Sequence, residues 1–98
     1  MHWEQTLSDA RRRKLAFRAS HRGMREMDLF MEAFVAAHLD GFDDEALEEF
    51  ERILDIPDQQ VYGWILGQSQ PPGEARSRVL DLLLSFRYVA PNQRRTTS

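Results

Sequence analysis

Cysteine is absent from the 98 residues, which excludes a disulfide scaffold, a thiolate zinc site, an iron–sulfur cluster and a cysteine nucleophile. Long apolar runs are missing too. The richest, Val79-Leu80-Asp81-Leu82-Leu83-Leu84, is short and carries a charge, far from the ~18 residues of a membrane span. The N-terminus, Met1-His2-Trp3-Glu4-Gln5, has no basic stretch leading into an apolar core, so no secretory signal is read there. A reduced compartment is expected. β-Branched residues are sparse and never alternate with polar ones over a strand length, which argues against a sheet. The chemistry of catalysis is equally thin: no glycine-rich phosphate loop, no paired histidines at helical spacing, no serine in a strand–turn–helix context. The histidines at positions 2, 21 and 38 lie too far apart to suggest one site. No catalytic residue and no metal ligand is therefore expected. Carboxylate pairs such as Asp43/Asp44 and Glu48/Glu49 sit where helix caps and solvated faces want them, and His38, on an apolar stripe, reads as a core histidine.

What the chain does have is charge, unevenly laid out. The net charge of −3 and pI near 5.5 conceal two opposed blocks. Arg11, Arg12, Arg13, Lys14, Arg18, Arg22 and Arg25 form a purely cationic stretch, whereas Glu26 to Asp58 holds twelve acidic residues against Arg52 alone. Three explanations are open: a nucleic-acid face, a face that docks an acidic protein, or a pattern paired internally and solvated. The acidic block disfavours the first, because it would repel a phosphate backbone.

Helical periodicity recurs along the chain, broken by short loops. A first helix is expected over Leu7–Ala19, capped by Thr6 or Ser8, with a thin stripe of Leu7, Ala10 and Phe17 that Trp3 could extend and Lys14 interrupts. A second, from Gly23 or Met24 to His38, places Met24, Met27, Phe30, Met31, Phe34 and His38 on one face. Leu39-Asp40-Gly41 would end it, with Gly41 turning left-handed. The third has Asp43 as N-cap, Asp44 and Glu45 in its first turn, a Phe42–Leu47 staple and a core stripe of Ala46, Leu47, Phe50, Ile53 and Leu54. Pro57 limits it to about Asp55. A fourth covers Asp58–Leu66 with Val61, Trp64 and Ile65 inward and Gly67 as its stop. The fifth runs from Glu74 to Phe86 behind the Gln70-Pro71-Pro72-Gly73 loop, with Val79, Leu82, Leu83 and Phe86 inward. The expected fold is all-α, a compact antiparallel five-helix bundle over residues 1–88, with 89–98 as a disordered tail.

The junction of the first two helices is the most informative stretch. Gly23 stands where alanine would be better by ~1 kcal/mol, so a positive φ or a close approach of another backbone is expected. Arg22 and Glu26, four apart, share the flank of the apolar stripe if one helix carries both. They are then either an ordinary surface pair or a charged edge ready to desolvate against a partner. Met24, Met27 and Met31, in one short window, are either core filling or a deformable docking face.

Arg12-Arg13-Lys14-Leu15-Ala16-Phe17-Arg18-Ala19-Ser20-His21-Arg22-Gly23-Met24-Arg25-Glu26-Met27-Asp28 resembles the signature of the succinate dehydrogenase FAD assembly factors, the bacterial SdhE family and its mitochondrial counterpart. The hallmark R-G-x-x-E is met by Arg22, Gly23 and Glu26, and Tyr62-Gly63-Trp64-Ile65-Leu66 is similar to the family's aromatic-x-Trp segment. The likeness covers about residues 10–88 and departs mildly at Met27 (commonly Leu) and His21 (often Arg). It implies a five-helix bundle that is not an enzyme. Such a protein binds the flavoprotein subunit of succinate dehydrogenase, or of fumarate reductase, and promotes covalent attachment of FAD to a client histidine. It also implies that Arg22, Gly23 and Glu26 form the centre of the docking surface, with Arg18, Met24, Arg25 and Asp28 beside them. FAD would belong to the client, with no cofactor held by this chain. A monomer that neither binds nucleic acid nor spans a membrane is expected, in the cytoplasm of a bacterium or the mitochondrial matrix of a eukaryote.

Overall fold

The computed structural model describes the backbone of residues 3–87 and the side chains of residues 9–87. The side chains of Trp3, Thr6, Leu7 and Ser8 and the tail 89–98 lie outside the described residues. Among the described residues five α-helices follow one another: α1 (Trp3–Ser20), α2 (Arg25–His38), α3 (Asp44–Leu54), α4 (Asp58–Ile65) and α5 (Arg78–Ser85). Single 3-10 turns at Leu39–Gly41 and Gly73–Ala75 join α2 to α3 and precede α5. No strand occurs among the described residues, and the chain is an all-α helical bundle.

The core forms where the apolar stripes of α2 and α3 meet. Met27, Phe30, Met31 and Phe34 of α2 are buried, as are Ala46, Leu47, Phe50, Ile53 and Leu54 of α3. Phe34 is central: its ring lies 5.8 Å from that of Phe50 and 5.5 Å, edge-on, from that of Phe86. Edge-to-face pairs of this kind add to plain area burial. His38 is half-buried against the rings of Phe34 and Phe86, 5.1 and 5.7 Å away. The third helix starts as expected, the Asp43 carboxylate accepting from the Ala46 amide at 2.8 Å. Phe42 and Leu47 are both buried across that cap. The fourth helix stops at Gly67, whose φ of +76° is the left-handed conformation a glycine stop provides.

Four expectations are corrected. Helix α1 is already helical at Trp3, so neither Thr6 nor Ser8 begins it. Its inward residues are Leu15 and Ala19, while Ala10 is exposed and Phe17 is 64% exposed, stacked on the His21 ring at 4.0 Å. The reason is electrostatic: Arg11, Arg12 and Arg18 share the inward stripe with Leu15 and Ala19 and reach acceptors beyond the α1 edge, which turns Phe17 outward. Gly41 does not take a positive φ, because α2 unwinds through a 3-10 turn into extended Phe42. Finally, α5 begins at Arg78, since Ser77 caps it by accepting from the Leu80 amide at 3.1 Å. Within it Leu80 is fully buried, whereas Leu82 and Phe86 are half-buried.

Candidate protein-docking site

Between Ser20 and Arg25 the chain makes a bend, and the backbone there depends on a left-handed residue. Gly23 has φ +96°, and a Cβ built on it would meet nothing within 4 Å. The glycine is thus required by the turn of the chain and faces open space. Because α1 ends before Arg22 and α2 starts after Met24, Arg22 and Glu26 do not share a helix, and the expected four-apart pair does not form.

Arg22 is instead drawn inward. Its Nε donates to Asp58 Oδ1, its Nη2 donates to the Ile56 carbonyl at 2.9 Å, and its amide donates to Asp28 Oδ1 at 2.8 Å. Asp28 closes the same bend from the other side, its own amide donating to the Met24 carbonyl at 2.8 Å. Met24, in the N-cap position of α2, has no side-chain oxygen to satisfy the first amides, and Asp28 stabilises the bend in its place. Around this frame Gly23, Arg25 and Glu26 are exposed, and Met24, Asp28 and Arg18 half-buried. Arg18 donates to Asp55 Oδ1 at 2.9 Å. All seven expected residues therefore gather around one bend, in three physical roles: exposed groups, a buried anchor and a backbone hinge.

The cationic stretch resolves the same way. Arg11 pairs with Glu51 at 3.1 Å, and Arg12 donates to the Phe42 carbonyl at 2.6 Å. With Arg18 and Arg22 held by Asp55 and Asp58, three of the seven cations pair with acids of α3 and the turn after it, and Arg12 is held by a carbonyl. Arg13, Lys14 and Arg25 are exposed with no ion pair to a described residue. Met27 and Met31 are fully buried, which makes them core filling, and only Met24 borders the surface. Asp58 escaped notice in the sequence because an acid just after a proline in a first turn reads as a helix-dipole partner.

The described clefts, of about 520, 370 and 150 Å³, are lined by residues between Gly41 and Arg87 and by none of the bend. Among the described residues no cluster of three His, Asp or Glu is placed to hold a metal, and no helix is long and apolar enough to cross a membrane. At its surface the bend presents backbone, the Arg25 cation and the Glu26 carboxylate.

Comparison with known proteins gives that surface a context. The family model described as the flavinator of succinate dehydrogenase, Sdh5, matches residues 13–87. The FAD assembly factor SdhE of Acetobacter pasteurianus is 41% identical over 71 residues, covering 72% of this chain and 65% of that protein. Mitochondrial succinate dehydrogenase assembly factor 2 of Debaryomyces hansenii is 38% identical over 56 residues, 57% of this chain and 39% of the relative. The Dictyostelium discoideum protein of the same name is 31% identical over 72 residues, 74% and 51% respectively. The chain thus spans less than two thirds of the length of each of these relatives.

Proposed function

The chain belongs to the Sdh5 family of succinate dehydrogenase flavinators, and we propose that it is an assembly factor for the flavoprotein subunit of succinate dehydrogenase. In this reading it binds that subunit and promotes covalent attachment of FAD to a client histidine. The observation that carries the proposal is the family match over residues 13–87, which takes in the whole exposed bend. The flavoprotein of fumarate reductase, a client of the same chemistry, is a second substrate of this reading.

The chain acts here as a binding protein, not an enzyme. The histidine nucleophile and the electron-accepting flavin both reside in the client, and this chain holds no FAD of its own. Its contribution is to keep the client's histidine and flavin aligned, and such positioning alone can lower a barrier by several kcal/mol. Exposed Gly23, Arg25 and Glu26 meet the client. Met24 and Arg18 border the contact, and Arg22 and Asp28 hold the bend in shape. The chain docks as a monomer, in the bacterial cytoplasm or the mitochondrial matrix, wherever the client is assembled.

Covalent flavin survives denaturation, so in-gel ultraviolet fluorescence of the flavoprotein reports attachment directly. Loss of the gene should dim that band, wild-type chain should restore it, and Glu26→Ala should not, although this exposed substitution moves stability by less than ~0.5 kcal/mol. An unchanged band in the deletion would sink the assembly role and favour an adaptor with another partner.

A further inference from the structure

We propose that Asp58, at the start of α4 and 36 residues from Arg22, is a positioning residue for client docking that acts through Arg22. The inference rests on the docking function proposed above and deepens it. Three features of the structure carry it. First, the Arg22 side chain is only 10% exposed and that of Asp58 19%, whereas the Arg18–Asp55 pair is 38% and 68% exposed and the Arg11–Glu51 pair 33% and 47%. The Arg22–Asp58 contact is the least solvated of these and the least weakened by screening. Second, the Arg22 guanidinium is committed twice, to Asp58 and to the Ile56 carbonyl, so presenting it to a partner would break both contacts and leave Asp58 with an unpaired, largely desolvated charge. Third, the other hydrogen bonds of the bend, from the Arg22 amide to Asp28 Oδ1 and from the Asp28 amide to the Met24 carbonyl, stay within it, while Gly23 adds backbone freedom and Met24 supplies no side-chain cap.

Arg22 thus ties the α1–α2 bend to the α3–α4 turn, and Asp58 is the far end of the tie. A bend fixed before contact loses less conformational freedom on docking, so the tie raises affinity without touching the client. Arg22 contributes shape, and Gly23, Arg25 and Glu26 contribute the contact.

The test is a double-mutant cycle on binding to purified flavoprotein subunit of succinate dehydrogenase, with circular dichroism and thermal unfolding on each variant. Arg22→Ala and Asp58→Ala should each weaken binding about tenfold at a temperature where the chain stays folded, and the double variant should be no weaker than the worse single one. Amide exchange at position 22 and at Asp28, both hydrogen-bonded within the bend, should quicken in both singles by more than at the core amides of α3, an excess that a uniform loss of stability does not produce. Glu51→Ala, which breaks the more solvated pair between α1 and α3, should leave affinity within about twofold. If Asp58→Ala fails to fold, Asp58→Asn keeps the acceptor and removes the charge, and should still weaken binding. Wild-type binding with Asp58 variants unaffected overturns the positioning role, as do losses that multiply in the double variant. A wild-type chain that does not bind the flavoprotein overturns the docking function itself, and the proposal with it.

Discussion

At φ +96°, Gly23 occupies backbone space that costs an L-residue about 1–2 kcal/mol, yet no neighbouring atom lies where its side chain would grow. Conformation and crowding can therefore be separated at this one position. Gly23→Ala and Gly23→Arg should cost similar stability, about 1–2 kcal/mol by urea unfolding, because both face the same backbone penalty and the same open space. Their effects on the client should diverge: the arginine fills the contact face and abolishes binding, whereas the alanine only weakens it. Equal loss of binding in the two variants would show that the bend, not access to it, is what docking needs. The need for a glycine here was legible in the sequence, since a poor helix former sat among good ones. The role of Arg22 was not, because periodicity places a residue on a face of its own helix and says nothing about an acceptor 36 positions away.

Helix α3 shows how much an element's sequence can settle when its ends are written in local chemistry. Its cap, staple and five-residue stripe all stand as expected, because each depends on neighbours within a few positions. Helix α1 is the opposite case, since the residues it buries among those described, Leu15 and Ala19, are modest and its arginines find partners on other elements. Helix α5 falls between. Ser77 caps it locally, but Glu49 of α3, buried at 8% exposure, also accepts from the Val79 amide at 3.1 Å, a tertiary cap with no signal in the α5 sequence. The α3 cap carries a pH dependence. The Ala46 amide, and to a lesser degree Arg78, hold the Asp43 carboxyl below the ordinary carboxylate range. A carboxylate lowered on folding contributes stability above its unfolded value, and that contribution disappears as pH falls through the folded value. Asn caps without titrating. Wild type should therefore exceed Asp43→Asn in urea midpoint near neutral pH, and the gap should close as pH drops below about 4. A gap that stays constant across that window would mean the charge on Asp43 does not matter to the cap.

Among the described residues the two charge blocks meet in three ion pairs, Arg11–Glu51, Arg18–Asp55 and Arg22–Asp58. Arg11, Arg12, Arg18 and Arg22 are spent on Glu51, the Phe42 carbonyl, Asp55 and Asp58, so much of the dipolar pattern in the sequence is the signature of α1 lying along α3 and the turn after it. Composition alone could not separate this from a nucleic-acid face, since both need a run of arginines and differ only in where the anions are. The difference is measurable. Within the stretch Arg11–Arg25 the cations left for phosphates are Arg13, Lys14 and Arg25, so that stretch, read by replacing these three with alanine, should contribute about −3 to the log–log salt slope for duplex DNA. Three such contacts on a chain of net charge −3 are too few to hold it on immobilised DNA at about 0.15 M salt, so it should elute below that. A contribution near −6 from this stretch, with retention at that salt, would mean that its ion pairs open and all seven of its cations reach phosphate. The bend would then be competing with phosphate for Arg22, and the tie to Asp58 could not be the fixed feature on which docking depends.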